Sequence, residues 1–160
     1  MKWRLCSHMM FWSTIVPIVV CSAHADTFTV RVTEVNAGDL LGVMREGGSA
    51  TESIRLYGVD SPDVGQPFAE EAQKFVSDKA LNQNVSVEAL TQDNEGKIVA
   101  VVTLADGEKL HRMMLQAGLA WYDSENAKEE PELRALCAEA IVAQAGLWKD
   151  PAALSPWDYR

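Results

Sequence analysis

The run Arg55-Leu56-Tyr57-Gly58-Val59-Asp60-Ser61-Pro62-Asp63 starts with a guanidinium and ends in acid-Ser-Pro-acid. Arg55 and Val59 fall on one face of a strand-like segment. Taken singly, its members have plain readings. An arginine on a strand is usually a solvated edge or salt-bridge residue, and Asp60 before Ser61-Pro62 can simply cap the loop. Asp39 beside Gly38 is a common turn pair. The combination is more informative, because other chemistries are short of residues. The chain has three His and three Cys. Two of each, Cys6, Cys21, His8 and His24, lie in a leader-like segment. If that segment is removed, Cys137 and His111 remain. No intrachain disulfide can then form, and a His/Cys zinc site lacks ligands. A Ser-His-Asp triad would rest on His111 alone, within Leu110-His111-Arg112-Met113-Met114, which reads as a helix start. Cys137 lies on an apolar helix face and reads as a packing residue.

The leader reading rests on three features. Lys2 and Arg4 open the chain, an apolar stretch runs from Met9 to Val20, and Ala23-His24-Ala25 follows. That order is a secretory signal, with cleavage expected between Ala25 and Asp26. The stretch is shorter than the roughly 20 apolar residues of a membrane span, and Val20 is bulky for a lipoprotein signal at Cys21. The expected organisation is thus a signal peptide at 1–25 and a single domain at 26–160. The mature protein would be periplasmic or secreted, free of the membrane and monomeric.

Composition is globular, with 48% hydrophobic and 23% charged residues, so disorder throughout is excluded. Fourteen Lys and Arg face 23 Asp and Glu, a net charge of -9. Loss of the leader takes two basic residues and no acid, leaving 135 residues at -11. This argues against a simple basic nucleic-acid binder, which needs Lys and Arg for phosphates.

The elements that must position these residues follow from periodicity. Thr27 to Val35 alternates as a half-buried strand, Leu40 to Arg45 is a second, and Ser53 to Val59 a third. Short turns join them, suggesting an antiparallel meander. Pro67 suits a helix first turn, and Phe68, Ala72, Phe75, Val76 and Ala80 continue at helical spacing. Val85–Leu90 and Ile98–Leu104 are strands around an Asn94-Glu95-Gly96 turn. A short helix over His111–Ala117 and a strong one over Pro131–Trp148 complete the order. Trp121 and Tyr122 are expected to pack at the barrel mouth rather than stack bases. The fold class is α+β, a five-stranded OB-type β-barrel with three helices.

The Arg55–Asp63 run resembles the hallmark of the staphylococcal-nuclease-like (thermonuclease) family. Further matches lie in order along the chain. Val35-Asn36-Ala37-Gly38-Asp39 is similar to the family's earlier acidic turn, and Gly65–Ala72 to its first-helix entry. Asp93-Asn94-Glu95-Gly96-Lys97, Gln116–Trp121, Ala145–Trp148 and Pro156-Trp157-Asp158-Tyr159-Arg160 resemble later family motifs.

The resemblance implies hydrolysis of a phosphodiester, with one Ca2+ held by oxygens, a carboxylate base and two guanidinium groups. Carried over by position, Asp39 and Asp60 are the metal carboxylates, and Ser61 supplies a carbonyl oxygen. Arg55 is the first arginine. The departures cluster in the same place. Asp63 replaces a Glu base and is about one methylene shorter, where about 1 Å can cost a hundredfold. Lys97 replaces the second Arg, keeping charge without the planar fork. Glu95 replaces an aromatic, Asn94 a basic residue and Ala37 an acid. Two readings follow. One is an exported Ca2+-dependent nuclease with weakened activity, binding single-stranded DNA or RNA weakly. The other is an inactive nuclease-fold binding module.

Overall fold

A computed structural model describes residues 26–160; the expected signal peptide, residues 1–25, lies outside the described residues. In β1 (Asp26–Ala37), alternation turns Val30 and Val32 inward while Thr29 and Arg31 face solvent. β2 (Leu40–Arg45) pairs antiparallel with β1, placing Val43 opposite Val32. β3 (Thr51–Leu56) pairs antiparallel with β2, placing Ile54 opposite Leu41. The expected meander is therefore formed.

β5 (Asn84–Gln92) and β6 (Ile98–Thr103) form a hairpin. β5 pairs with β1, and β6 lies parallel to β3 with Arg55 beside Val99. These pairings close a five-stranded barrel in the order β1-β2-β3-β6-β5. Val32, Leu41, Val43, Ile54, Val87 and Val102 fill it and are fully buried. Burying each such side chain stabilises the fold by about 1.5–3 kcal/mol.

The third strand is shorter than its hydrophobic run suggests. Gly58, at φ 73°, interrupts it, and a Cβ there would lie 2.7 Å from Leu133 Cδ1. The chain leaves the barrel at this point. β4 (Val59–Asp60) pairs instead with β7 (Trp121–Tyr122), setting Asp60 opposite Trp121.

α1 (Ala69–Ala80) buries Ala72, Val76 and Ala80. It begins two residues beyond Pro67, because Phe68 takes a left-handed conformation at φ 67°. α2 (Leu110–Gln116) and α3 (Pro131–Val142) pack together, with Leu115, Leu133 and Leu136 buried. The expected helix over Pro131–Trp148 divides. Gln144 at φ 50° and Gly146 at φ 51° stop it, and a 3-10 turn at Gly146–Lys149 seats Leu147 in the core. Ile141, which helical spacing from Leu133, Cys137 and Ala140 would place inward, is 46% exposed. Trp121 is buried edge-on against Trp148, ring centroids 5.5 Å apart, which supports its packing role. Cys137 is buried on the α3 face. A short α4 (Pro156–Tyr159) follows. No helix among the described residues is long and apolar enough to cross a membrane.

His111 is 4% exposed in α2, and its Nδ1 has no hydrogen-bond partner. Burial, with Lys109 and Arg112 adding to it, pushes the imidazole down to about 4. The native state therefore resists a proton that the unfolded chain takes up near pH 6.5. His111 should cost the protein stability as pH falls from about 6.5 to about 4, by on the order of 3 kcal/mol. His111→Met should flatten that limb in urea-unfolding midpoints measured across pH. An unchanged slope would count against the buried neutral imidazole.

Candidate active site

Asp39 occupies the turn between β1 and β2, and Gly38 brings it inward. A Cβ on Gly38 would lie 2.9 Å from Ala72 Cβ, Met114 Cε and Ser61 Cβ, so any side chain would push the turn off α1, α2 and the loop after β4. The Asp39 side chain is only 6% exposed, and both its oxygens are engaged. Ser61 Oγ donates to Oδ1 at 2.7 Å, and Arg55 Nη1 donates to Oδ2 at 2.8 Å. The Asp39 amide donates back to Ser61 Oγ at 3.2 Å, and the Asp39 carbonyl accepts the Leu56 N–H at 2.8 Å. A buried carboxylate needs this degree of satisfaction.

Arg55 faces a second acid. Its Nε donates to Asp93 Oδ2 at 3.4 Å. Asp93 in turn organises the β5–β6 turn, its Oδ1 accepting the amides of Glu95 and Lys97, each at 2.9 Å. Burial works to raise the Asp93 carboxyl, but those amides, with Lys97 and Arg55, hold it below the usual range. Lys97 Nζ is turned onto the Glu95 carboxylate. Its charge is thereby met within the turn.

The other two acids share one partner. Arg160, just beyond α4, donates from Nη2 to both oxygens of Asp60 at 2.9 Å and from Nε to Asp63 Oδ2 at 2.7 Å. Even so, burial and then the charge of Asp39 push the Asp60 carboxyl up to about 6, with Arg160 opposing them. Gln66 fixes this arrangement. Only 6% exposed, it accepts the Asp63 amide on Oε1 at 2.7 Å and donates from Nε2 to the Leu154 carbonyl at 3.1 Å. One side chain thus docks the segment bearing Arg160 onto the loop bearing Asp63. A cleft of about 360 Å³ opens beside Asp60, between Asp123, Glu125, Trp157 and Arg160.

The structure therefore joins Arg55, Asp39 and Ser61 directly, and joins Asp60 to Asp63 through Arg160. Lys97 is near Arg55 only by way of Asp93. Asp39, Asp60 and Asp63 do not form a ready-made cage: among the described residues, no group of three or more His, Cys, Asp or Glu is arranged to hold a metal ion. Sequence reasoning gave no role to Asp93, Gln66 or Arg160. Arg160 lies in a motif that was visible, but its partner Asp63 is 97 positions away.

Asp60 generates a test opposite in sign to that of His111. Its native carboxyl keeps a proton between its ordinary value, 3.8, and about 6. Its contribution to stability therefore falls as pH rises through that window, by up to about 3 kcal/mol. Asp60→Asn should raise the urea midpoint at pH 7–8 and leave it unchanged below pH 4. A loss at neutral pH would show that the Arg160 pair outweighs the repulsion from Asp39.

The family profile for staphylococcal nuclease homologues matches residues 53–150, more than half of the chain. The chain is 29% identical over 145 residues to an uncharacterized endonuclease of Escherichia coli, covering 90% of this chain and 89% of that protein. It is 29% identical over 169 aligned positions to a micrococcal nuclease of Shigella flexneri, covering all of this chain and 95% of that one. A staphylococcal-like nuclease, CAN1, of Arabidopsis thaliana is 32% identical over 107 residues, covering 67% of this chain and 32% of the plant protein. With its closed five-stranded barrel and a matching profile that runs from β3 to just past the 3-10 turn, the chain belongs to the staphylococcal nuclease homologue family.

Proposed function

We propose that this protein is a Ca2+-dependent nuclease that hydrolyses phosphodiester bonds of DNA or RNA, with activity weakened by its own site residues. The observation that supports this most is the linked set Ser61–Asp39–Arg55. There a buried carboxylate holds a guanidinium in place at 2.8 Å. Arg55 and Lys97 would meet the phosphate, and Asp63 would take the proton of the attacking water. The ester oxygen then leaves, taking a proton from solvent water to become the alcohol, and the phosphate stays on the other fragment.

Asp39, Asp60 and the Ser61 carbonyl would hold one Ca2+, the two carboxylates through lone pairs left over on oxygens that already accept from Ser61, Arg55 and Arg160. Oxygen donors suit a hard cation, and Asp60, raised to about 6 by burial and by Asp39, is a place where added positive charge is favoured. When bound, the ion would stabilise charge on the phosphoryl oxygens. Added Ca2+ should lower the Asp60 titration, read by carboxyl NMR, below about 6.

Weakened activity follows from the short Asp63 and from Lys97, whose charge is turned onto Glu95. Weak binding fits the acidic cleft wall at Asp123 and Glu125, and in this reading the substrate is single-stranded DNA or RNA and the protein a monomer. Residues 26–160 would act as one domain, released to the periplasm or beyond after cleavage at Ala25. Purified protein should degrade single-stranded DNA or RNA with Ca2+ and stop with chelator.

The Lys97–Glu95 pair also favours the second reading, a binding module that has lost the chemistry. The triple change Asp63→Glu, Lys97→Arg and Glu95→Tyr separates the two. A weakened nuclease should gain roughly tenfold or more in kcat/KM. No cleavage by the wild type at high concentration, with Ca2+ bound, would leave only the module.

A further inference from the structure

Three guanidinium or ammonium groups bear on the site, and they differ in what they have left to give. Arg55 spends Nη1 on Asp39 and Nε on Asp93. Lys97 is a point charge engaged by Glu95. Arg160 uses Nε and Nη2 on Asp63 and Asp60, while its Nη1 has no hydrogen bond to protein among the described residues. Its side chain is 52% exposed and lines the cleft of about 360 Å³ beside Asp60. A guanidinium has five N–H donors in a rigid plane, so it can hold carboxylates along one edge and an anion along another.

We infer that Arg160 is a further phosphate-gripping group of this site, adding to Arg55 and Lys97 the planar fork that a lysine lacks. This rests on the nuclease reading. A phosphate attacked by water from Asp63 must lie within reach of Asp63, and Arg160 Nε is 2.7 Å from that carboxylate. Nη1 takes a non-bridging oxygen of the scissile phosphate, and Nε keeps Asp63 aimed. The placement is built into the fold: buried Gln66 ties Leu154 to the Asp63 amide, and the Arg160 amide donates to the Pro156 carbonyl at 3.1 Å. Gln66 is a positioning residue in this scheme. The ligand class is a single-stranded nucleotide phosphodiester.

The test compares wild type, Arg160→Ala, Arg160→Gln and Arg160→Lys in two assays. One is Ca2+-dependent cleavage of a single-stranded DNA oligonucleotide. The other is fluorescence anisotropy of the same labelled oligonucleotide under chelator. Arg160→Ala and Arg160→Gln should lower kcat/KM about 10- to 100-fold and weaken binding about tenfold. Arg160→Lys should recover binding but not rate, since it lacks the fork. Faster cleavage by Arg160→Ala would make Arg160 an inhibitory latch and overturn the inference. Unchanged cleavage, or full rescue of rate by Lys, would overturn it too. If the wild type does not cleave, the nuclease reading fails and the binding assay decides alone. Binding lost with Arg160 upholds the grip, and no binding or Arg160-independent binding overturns it. If circular dichroism shows Arg160→Ala to be unfolded, Gln against Lys makes the same comparison.

Discussion

A single buried carboxylate ties the working parts of this molecule together. Asp39 lies at the first turn of the barrel, yet its two oxygens reach Ser61, in the loop after the barrel is left, and Arg55, on the third strand. An unpaired charge at 6% exposure would be costly, and leaving one partner alone commonly costs about 3–5 kcal/mol. Arg55 and Ser61 are therefore fixed by a buried charge rather than by apolar packing. From Arg55 the chain of contacts continues to Asp93 and the β5–β6 turn, and the parallel register that sets Arg55 beside Val99 brings the two within reach.

The acidity of the chain takes on a more local meaning around that centre. Asp39 and Asp93 are matched by Arg55, and Asp60 and Asp63 by Arg160. At Asp60, burial and the charge of Asp39 together outweigh that guanidinium. Asp123 and Glu125 line the same cleft as Asp60 and Arg160. A polyanion approaching there meets repulsion along most of its length and attraction at a few guanidinium groups. Such a surface favours short contacts over a long bound tract.

Much of the barrel was legible in the sequence because its signals are local. Alternation in Thr27–Val35, the turn at Ala37-Gly38-Asp39 and the Asn94-Glu95-Gly96 reversal each depend on neighbours only. The break in the third strand was not legible, since Leu133, which packs where a Gly58 side chain would lie, is far away in sequence. The division of the last helix was missed for a related reason. Ala143–Ala145 has good helical composition, but seating Leu147 against Gly118 overrides it. At the site, Arg55, Asp39 and Ser61 were found through an ordered motif and do meet. Arg160 and Gln66 were not found, because a partner some ninety positions away leaves no periodic trace.

The parallel pairing of β3 with β6 has a kinetic meaning as well. Ile54 and Ile98 meet only after α1 and the whole of β5 have been threaded between them. Closing so long a loop costs conformational entropy before any contact repays it. The hairpins can form early, but Arg55 cannot reach Asp93 until the barrel shuts. Half-folded chains would thus have strands and helices without a working site, and competence would arrive in the last step of folding.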